Sequence, residues 1–190
     1  MFLMLDERKT LHDIASGKRG CPCGGRLRPW GYARLRRIRQ LDGSDIALRP
    51  RPLLCGLCGK THVLLPASSL PRRRDSAETV GAALLMAAQG SGHRTIAAHL
   101  DRPNSTVRNW LRRAKRGAAW LNRTGVTTAY QYDLGHGPMA VRATPIAEAV
   151  DSLSYAAAAM VRRLGLLGMP PWSIIVMISR GHLLHGLPDG

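Results

Sequence analysis

A chain of 190 residues has room for one medium domain or two small ones with a tail. Its 28 Lys and Arg against 12 Asp and Glu leave a formal charge of +16, too lopsided for an enzyme of neutral metabolites. Such a chain wants a polyanion, DNA or RNA first. GC-rich codon bias can exchange lysine for arginine, but it does not by itself leave acids so outnumbered.

Residues 1–20 read as a short polar leader with one weak helix from Lys9 to Ala15. The apolar opening MFLML is followed at once by Asp6, Glu7, Arg8 and Lys9, which is not the layout of a secretion signal. Residues 21–65 change character. Gly and Pro punctuate Cys21-Pro22-Cys23-Gly24-Gly25, and an arginine-rich run extends from Arg26 to Gln40. Leu41-Asp42-Gly43-Ser44 signals a turn, with strand-like sequence from Ile46 to Leu54. Cys55-Gly56-Leu57-Cys58-Gly59-Lys60 is a second tight turn, and Thr61 to Leu65 a further short strand.

The two cysteine pairs suit a metal. Tetrahedral zinc needs four soft donors converging from two directions, and two glycine-bearing knuckles on adjacent hairpins supply them. Cys21, Cys23, Cys55 and Cys58 are the expected ligands of one structural zinc ion. The first pair is CxC rather than CxxC, so His62, four residues after Cys58, is a reserve ligand. A thioredoxin-like redox pair would need a strand-to-helix context that is missing here. Four protein ligands leave no open position for water, so the metal would be structural.

Residues 66–74, PASSLPRRR, read as a basic linker ending in Arg72, Arg73 and Arg74. An arm in that position, just before a helix, can reach into a minor groove. Helical patterning then starts, with Asp75 and Glu78 as a capping-box variant. Val80, Ala83, Leu84 and Ala87 form one face, and Gly90 and Gly92 close the helix. From Gly92 to Arg116 two further helices are separated by Asp101-Arg102-Pro103, where proline removes a donor and disfavours helix in the residue before it. Ile96, Ala97 and Leu100 make the apolar face of the first. Val107, Trp110, Leu111 and Ala114 make that of the second. Ser105, Thr106, Arg108, Asn109, Arg112 and Arg113 fall on the opposite, solvent side. Hydroxyl, amide and guanidinium groups suit base edges and phosphates, so residues 75–117 read as a helix-turn-helix unit for double-stranded DNA.

Residues 118–190 read as a mainly helical tail. Gly125 to Gly137 looks like loop, Thr144-Pro145 starts a helix ending at Gly165, and Pro170-Pro171 starts another ending at Gly181. Tyr155, Ala156 to Ala159, Leu164, Leu166, Leu167, Trp172, Ile174, Ile175, Ile178 and Leu183 either complete the monomer's core or join two copies in a homodimer. Trp172 to Ile178 is too short to span a membrane. The expected setting is cytoplasmic and nucleoid-associated, where cysteines stay reduced.

CPCGGRLRPWGY, LLCGLCGKTHVLLP, the Arg-rich linker and RTIAAHLDRPNSTVRNWLRR together resemble actinobacterial zinc-ribbon/helix-turn-helix proteins. These in turn are similar to the amino-terminal DNA-binding regions of insertion-sequence transposases. The resemblance covers about residues 21–116 and implies the same four cysteines as zinc ligands. Transposases of that kind cut DNA with three carboxylates on a ribonuclease-H-like domain. Here the acids after the trihelical unit are Asp133, Glu148, Asp151 and Asp189, and His182 and His185 lack a third ligand, so no catalysis is expected.

The expected fold is α+β, mainly helical: a small zinc ribbon of short antiparallel strands, a helix-turn-helix unit and a helical tail. The expected function is DNA recognition, as a transcriptional regulator or a transposase-derived protein without its nuclease. The alternatives are a subunit of a DDE-type transposase or recombinase working with a catalytic partner, and an RNA-binding zinc-ribbon protein. The RNA reading would want exposed aromatic platforms, and aromatics are 5% of the chain.

Overall fold

The computed structural model describes residues 1–135 and 139–184. A β-rich amino-terminal region carrying the four cysteines leads into a helical remainder, giving an α+β fold that is mostly helical. The first region contains β1 (Phe2–Met4), α1 (Glu7–Ala15), β2 (Leu27–Pro29), β3 (Arg36–Arg39), β4 (Asp45–Leu48), β5 (Arg51–Cys55) and β6 (Thr61–Pro66). Four strands form a sheet in the order β1-β6-β5-β2, while β3 and β4 pair as a separate hairpin.

Local chemistry explains these elements. At the β3–β4 turn, the Ser44 amide and hydroxyl both donate to Asp42 Oδ1, at 2.9 and 2.7 Å. Gly43 supplies the left-handed conformation there, with φ 86°. The strand expected from Ile46 to Leu54 is in fact two, split at Arg49-Pro50 between the two sheets. Proline has no amide to continue a ladder, so the chain changes sheets there. The ribbon's own core is Met4, Ile14, Cys21, Leu27, Leu53, Cys55 and Leu64.

The segment expected to be a leader is part of this region. β1 runs parallel to β6, with Leu3 opposite Leu65, and buries Leu3 and Met4. Its apolar residues cover the edge that β6 would otherwise leave open. Asp6 caps α1 by accepting from the Lys9 amide at 3.0 Å, so the helix starts at Glu7 rather than Lys9.

Residues 66–74 are likewise folded and not an open linker. Leu70 and Ser69 are buried, and the Ala67 amide donates to the Met4 carbonyl at 2.8 Å. The Arg39 amide donates to the Arg74 carbonyl, and the Ser76 amide to the Arg39 carbonyl, which lays this segment along β3. An apolar Leu70 amid polar neighbours was the available sign that the segment is anchored.

The helices are α2 (Ala77–Ala88), α3 (His93–His99), α4 (Asn104–Tyr132), α5 (Pro145–Leu164) and α6 (Pro171–Ile178). Ser76, not Asp75, caps α2: its Oγ accepts from the Thr79 amide at 3.2 Å. Glu78 faces the first backbone amides of α6, at Trp172 and Ser173. Burial pushes its carboxyl above the usual range while those amides pull it down. Thr144 caps α5, which ends at Gly165 with φ 65°, as the capping signals predict. α6 stops three residues before Gly181.

One expectation fails by a wide margin. The second helix of the helix-turn-helix does not end near residue 117, and Gly125 does not open a loop. α4 is continuous for 29 residues to Tyr132. His136 and Gly137, the far end of the expected loop, lie outside the described residues. The glycines mislead because both lie buried within one helix. Gly117 and Gly125 are buried, and a Cβ on Gly125 would stand 2.5 Å from Ser152 Oγ and 2.7 Å from the Ser152 carbonyl carbon on α5. α5 and α6 pack back on α2 and α4, so Leu121, Ala129, Leu153, Ala156, Ile174 and Leu183 join one core with Ile96, Val107 and Trp110. Most apolar tail residues are used there, while Leu134, Val141, Leu164 and Leu167 remain exposed.

A test follows from this crossing. In an ordinary helix Gly→Ala stabilises by about 1 kcal/mol. Gly125→Ala should instead lower stability by about 1–3 kcal/mol, because the added methyl forces α4 and α5 apart. Thermal unfolding of the two proteins gives the sign directly.

Candidate metal centre and nucleic-acid interface

The four cysteine sulfurs come together at one end of the ribbon, all within 4.8 Å of one another. Cys21 and Cys23 come from the turn before β2, Cys55 from the end of β5, and Cys58 from the turn leading to β6. Backbone bonds shape both knuckles. The Cys21 amide donates to Gly25 O and the Gly24 amide to Cys21 O; the Cys55 amide donates to Lys60 O and the Gly59 amide to Cys55 O. Left-handed Gly24 and Gly59 let each turn close this tightly. The short CxC spacer therefore does not keep Cys21 out of the cluster.

The spacing matches a tetrahedral ion. Zinc–sulfur bonds of about 2.3 Å put neighbouring sulfurs about 3.8 Å apart. Cys21 and Cys58 Sγ are 3.7 Å apart, and Cys23 and Cys55 Sγ 3.5 Å. Gly25 is required beside them, since a Cβ there would lie 2.5 Å from Cys55 Sγ. The Leu57 amide points at Cys55 Sγ at 3.4 Å. The backbone amides of Cys58 and Leu57 help bring the Cys55 thiol down to about 6, although burial opposes them. At Cys21 the Cys23 amide also pulls down, but burial and the neighbouring thiols win and push it up to about 12. Thiols with no cation among them disfavour a second thiolate, and a divalent ion removes that conflict. His62 is not one of the four. Its Nε2 is 3.2 Å from Cys21 Sγ, and its ring packs on Phe2, with centroids 5.1 Å apart. It is placed to orient a ligand from outside the cluster.

The helix-turn-helix is assembled as its apolar pattern requires. Ile96 and Ala97 of α3 and Val107, Trp110 and Ala114 of α4 are all buried. Ser105, Arg108, Asn109, Arg112 and Arg113 are exposed on the opposite face, and Thr106 is half-buried beside them. Arg112 Nη2 donates to Asn109 Oδ1 at 2.7 Å, one turn apart, so these two side chains are already aligned. From Arg102 to Tyr132 the sequence contains no Asp or Glu.

The three linker arginines take different positions. Arg72 and Arg74 are exposed, and Arg72 adopts φ 58°. Arg73 is half-buried with an unpartnered Nε. Its guanidinium is held below the usual range, by burial and then by the charge of Arg113. The charge of Arg113 is thus felt at Arg73, and two like charges favour an anion.

Arg102 and Asp75 carry a role that sequence reasoning missed. Arg102 looks in sequence like part of a helix break, yet its side chain is 2% exposed. Its Nε donates to Asp75 Oδ1 at 2.8 Å, Nη1 to the Leu100 and Asp101 carbonyls, and Nη2 to the Gln40 carbonyl at 2.7 Å. Arg39 Nε approaches the same Asp75 oxygen at 3.1 Å. One buried guanidinium therefore ties the turn of the helix-turn-helix to the β3–β4 hairpin. The partner lies 27 residues away, beyond any helical or turn periodicity.

Two of the tail carboxylates are paired, each with its own partners. Asp133 accepts from Tyr155 Oη and Arg162 Nη2, and Asp151 pairs with Arg142. His185 and Asp189 lie outside the described residues.

Residues 75–121 match the family model of a homeodomain-like domain, which coincides with α2, α3 and the first part of α4. No curated protein and no solved structure matches the chain. This segment is a helix-turn-helix DNA-binding domain. No helix among the described residues is long and apolar enough to cross a membrane.

Proposed function

We propose that this chain is a zinc-stabilised protein that reads double-stranded DNA with the first three turns of α4. It would serve as a transcriptional regulator or as the recognition part of a mobile element, without a nuclease of its own. The observation that carries this is the acid-free exposed face of Ser105, Arg108, Asn109, Arg112 and Arg113 on α4. Arginine and asparagine present paired hydrogen-bonding groups suited to guanine and adenine edges in the major groove. Arg73 and Arg113 suit a backbone phosphate, which positions the helix without reading sequence. The four cysteines would hold Zn²⁺, the ion whose thiolate geometry they match. Nucleoid association in the cytoplasm follows from that reading. Leu164 and Leu167, exposed at the end of α5 and just beyond it, are among the apolar residues open to a second copy in a homodimer.

Sequences selected from random DNA by the purified protein would provide the test site. Arg108→Ala or Asn109→Ala should then cost about 1–3 kcal/mol on that site and relax base preference at one position. Equal losses on selected and random duplexes would limit these residues to phosphate contact and defeat sequence reading by this helix.

A further inference from the structure

The ribbon carries an exposed aromatic and arginine surface that the duplex-reading helix does not use. Trp30 and Tyr32 follow β2, and 53% and 60% of their surfaces are open to solvent. The Arg28 guanidinium lies 5.2 Å from the Trp30 ring centroid. Arg49 and Arg51 lie 5.5 and 4.9 Å from that of Tyr32, and Arg51 Nη2 donates to the Tyr32 hydroxyl at 2.6 Å. The rings are held in place. The Trp30 amide donates to Pro52 O and the Ala33 amide to Pro50 O, both at 2.9 Å, which fastens the loop to the segment entering and forming β5. The carboxylate nearest to hand is Glu7, 3.8 Å from Arg51 Nε. Exposed Arg26, Arg34 and Arg37 extend the positive charge along the chain on both sides.

We infer that this surface binds an unpaired nucleic-acid strand, stacking bases on Trp30 and Tyr32 and neutralising phosphates with Arg28, Arg49 and Arg51. Exposed aromatic rings held in place by the backbone are ready to be covered by a flat, apolar partner. Here each already sits beside a cation, and bases offer the π-face while phosphates offer the charge that this combination complements. Duplex DNA hides its bases from such stacking, so this site and the face of α4 take different forms of nucleic acid. The chemistry is shared by single-stranded DNA and RNA.

The test uses the intact metal-loaded chain, labelled oligo(dT) and oligo(rU) of about 15 nucleotides, and the duplex selected from random DNA. The paired change Trp30→Ala, Tyr32→Ala should weaken oligo(dT) binding by about tenfold or more, leaving duplex binding and metal content unchanged. Trp30→Phe should retain most of the affinity, because a ring remains, while losing the tryptophan fluorescence quench that the strand produces. Arg108→Ala should show the reverse pattern, losing duplex and keeping oligo(dT). Matched losses on oligo(dT) and oligo(rU) support stacking of either strand, and a loss on one alone assigns the site to that strand. Unchanged oligo(dT) and oligo(rU) binding by the double variant overturns the site, even if duplex binding by α4 stands. Failure of duplex binding alone would count against the reading of α4 and not against this one.

Discussion

Removing the metal should unfold the ribbon while most of the helical signal survives. Its core is seven residues, two of them cysteines, far too little apolar burial to hold four short strands alone. Structural zinc supplies about 10–16 kcal/mol of apparent binding free energy in small finger domains, which exceeds the stability of most whole domains. Protein purified without added metal should therefore carry about one equivalent of zinc per chain. Cys58→Ser, or a strong chelator, should abolish amide protection across residues 21–65. The helices pack on a larger core, to whose buried residues β1 and β6 add only Leu3 and Leu65, and should keep most of their circular dichroism. His62→Ala should be milder, because the histidine touches Cys21 from outside the four sulfurs. A metal-free preparation with intact ribbon protection would refute this account.

Breaking the Asp75–Arg102 pair should be the most damaging change away from the cysteines. Asp75→Ala leaves a buried guanidinium without its carboxylate, and Arg102→Ala leaves a buried carboxylate with only the half-exposed Arg39. Loss of one partner from a buried pair costs about 3–5 kcal/mol. Arg102→Ala also frees the Leu100, Asp101 and Gln40 carbonyls. The combined change Asp75→Leu, Arg102→Met should recover part of the loss, since neither charge is then stranded. Chemical denaturation of the singles and the double measures the coupling. A single-variant loss below about 1 kcal/mol would mean that the pair behaves like an exposed one and does not tie the two regions together.

Those two sites show what could and could not be read from the chain. The cysteine cluster was legible because each knuckle is local: four sulfurs in two short turns, with glycines where left-handed backbone is needed. The exposed basic face of α4 was legible for the same reason, as helical periodicity places Val107, Trp110 and Ala114 on one side and Arg108, Asn109 and Arg112 on the other. The start of α5 announced itself through Thr144 and Pro145. Long-range physics was not legible. Gly125 carries the same letter whether it breaks a helix or admits a neighbouring backbone, and only Ser152 decides between them. Asp75 looked like a cap because caps are usually acidic or hydroxylic, and Ser76 beside it fits the same rule. The role of β1 depended on β6 having a free edge, a property of the assembled sheet. Low aromatic content concealed the fact that two of the rings, Trp30 and Tyr32, stand in solvent two residues apart.

The continuity of α4 has a geometric consequence for anything attached to the tail. The helix is about 43 Å long, runs from the exposed face proposed to read DNA into the core beneath α5, and has no joint along the way. If its first turns seat in a major groove, α5 and α6 stand at a fixed compass bearing around the duplex. A second protein gripping those helices would inherit that bearing. Its own DNA site would then have to lie in phase, and inserting about five base pairs, half of a 10.5-base-pair turn, would carry it to the opposite side of the double helix.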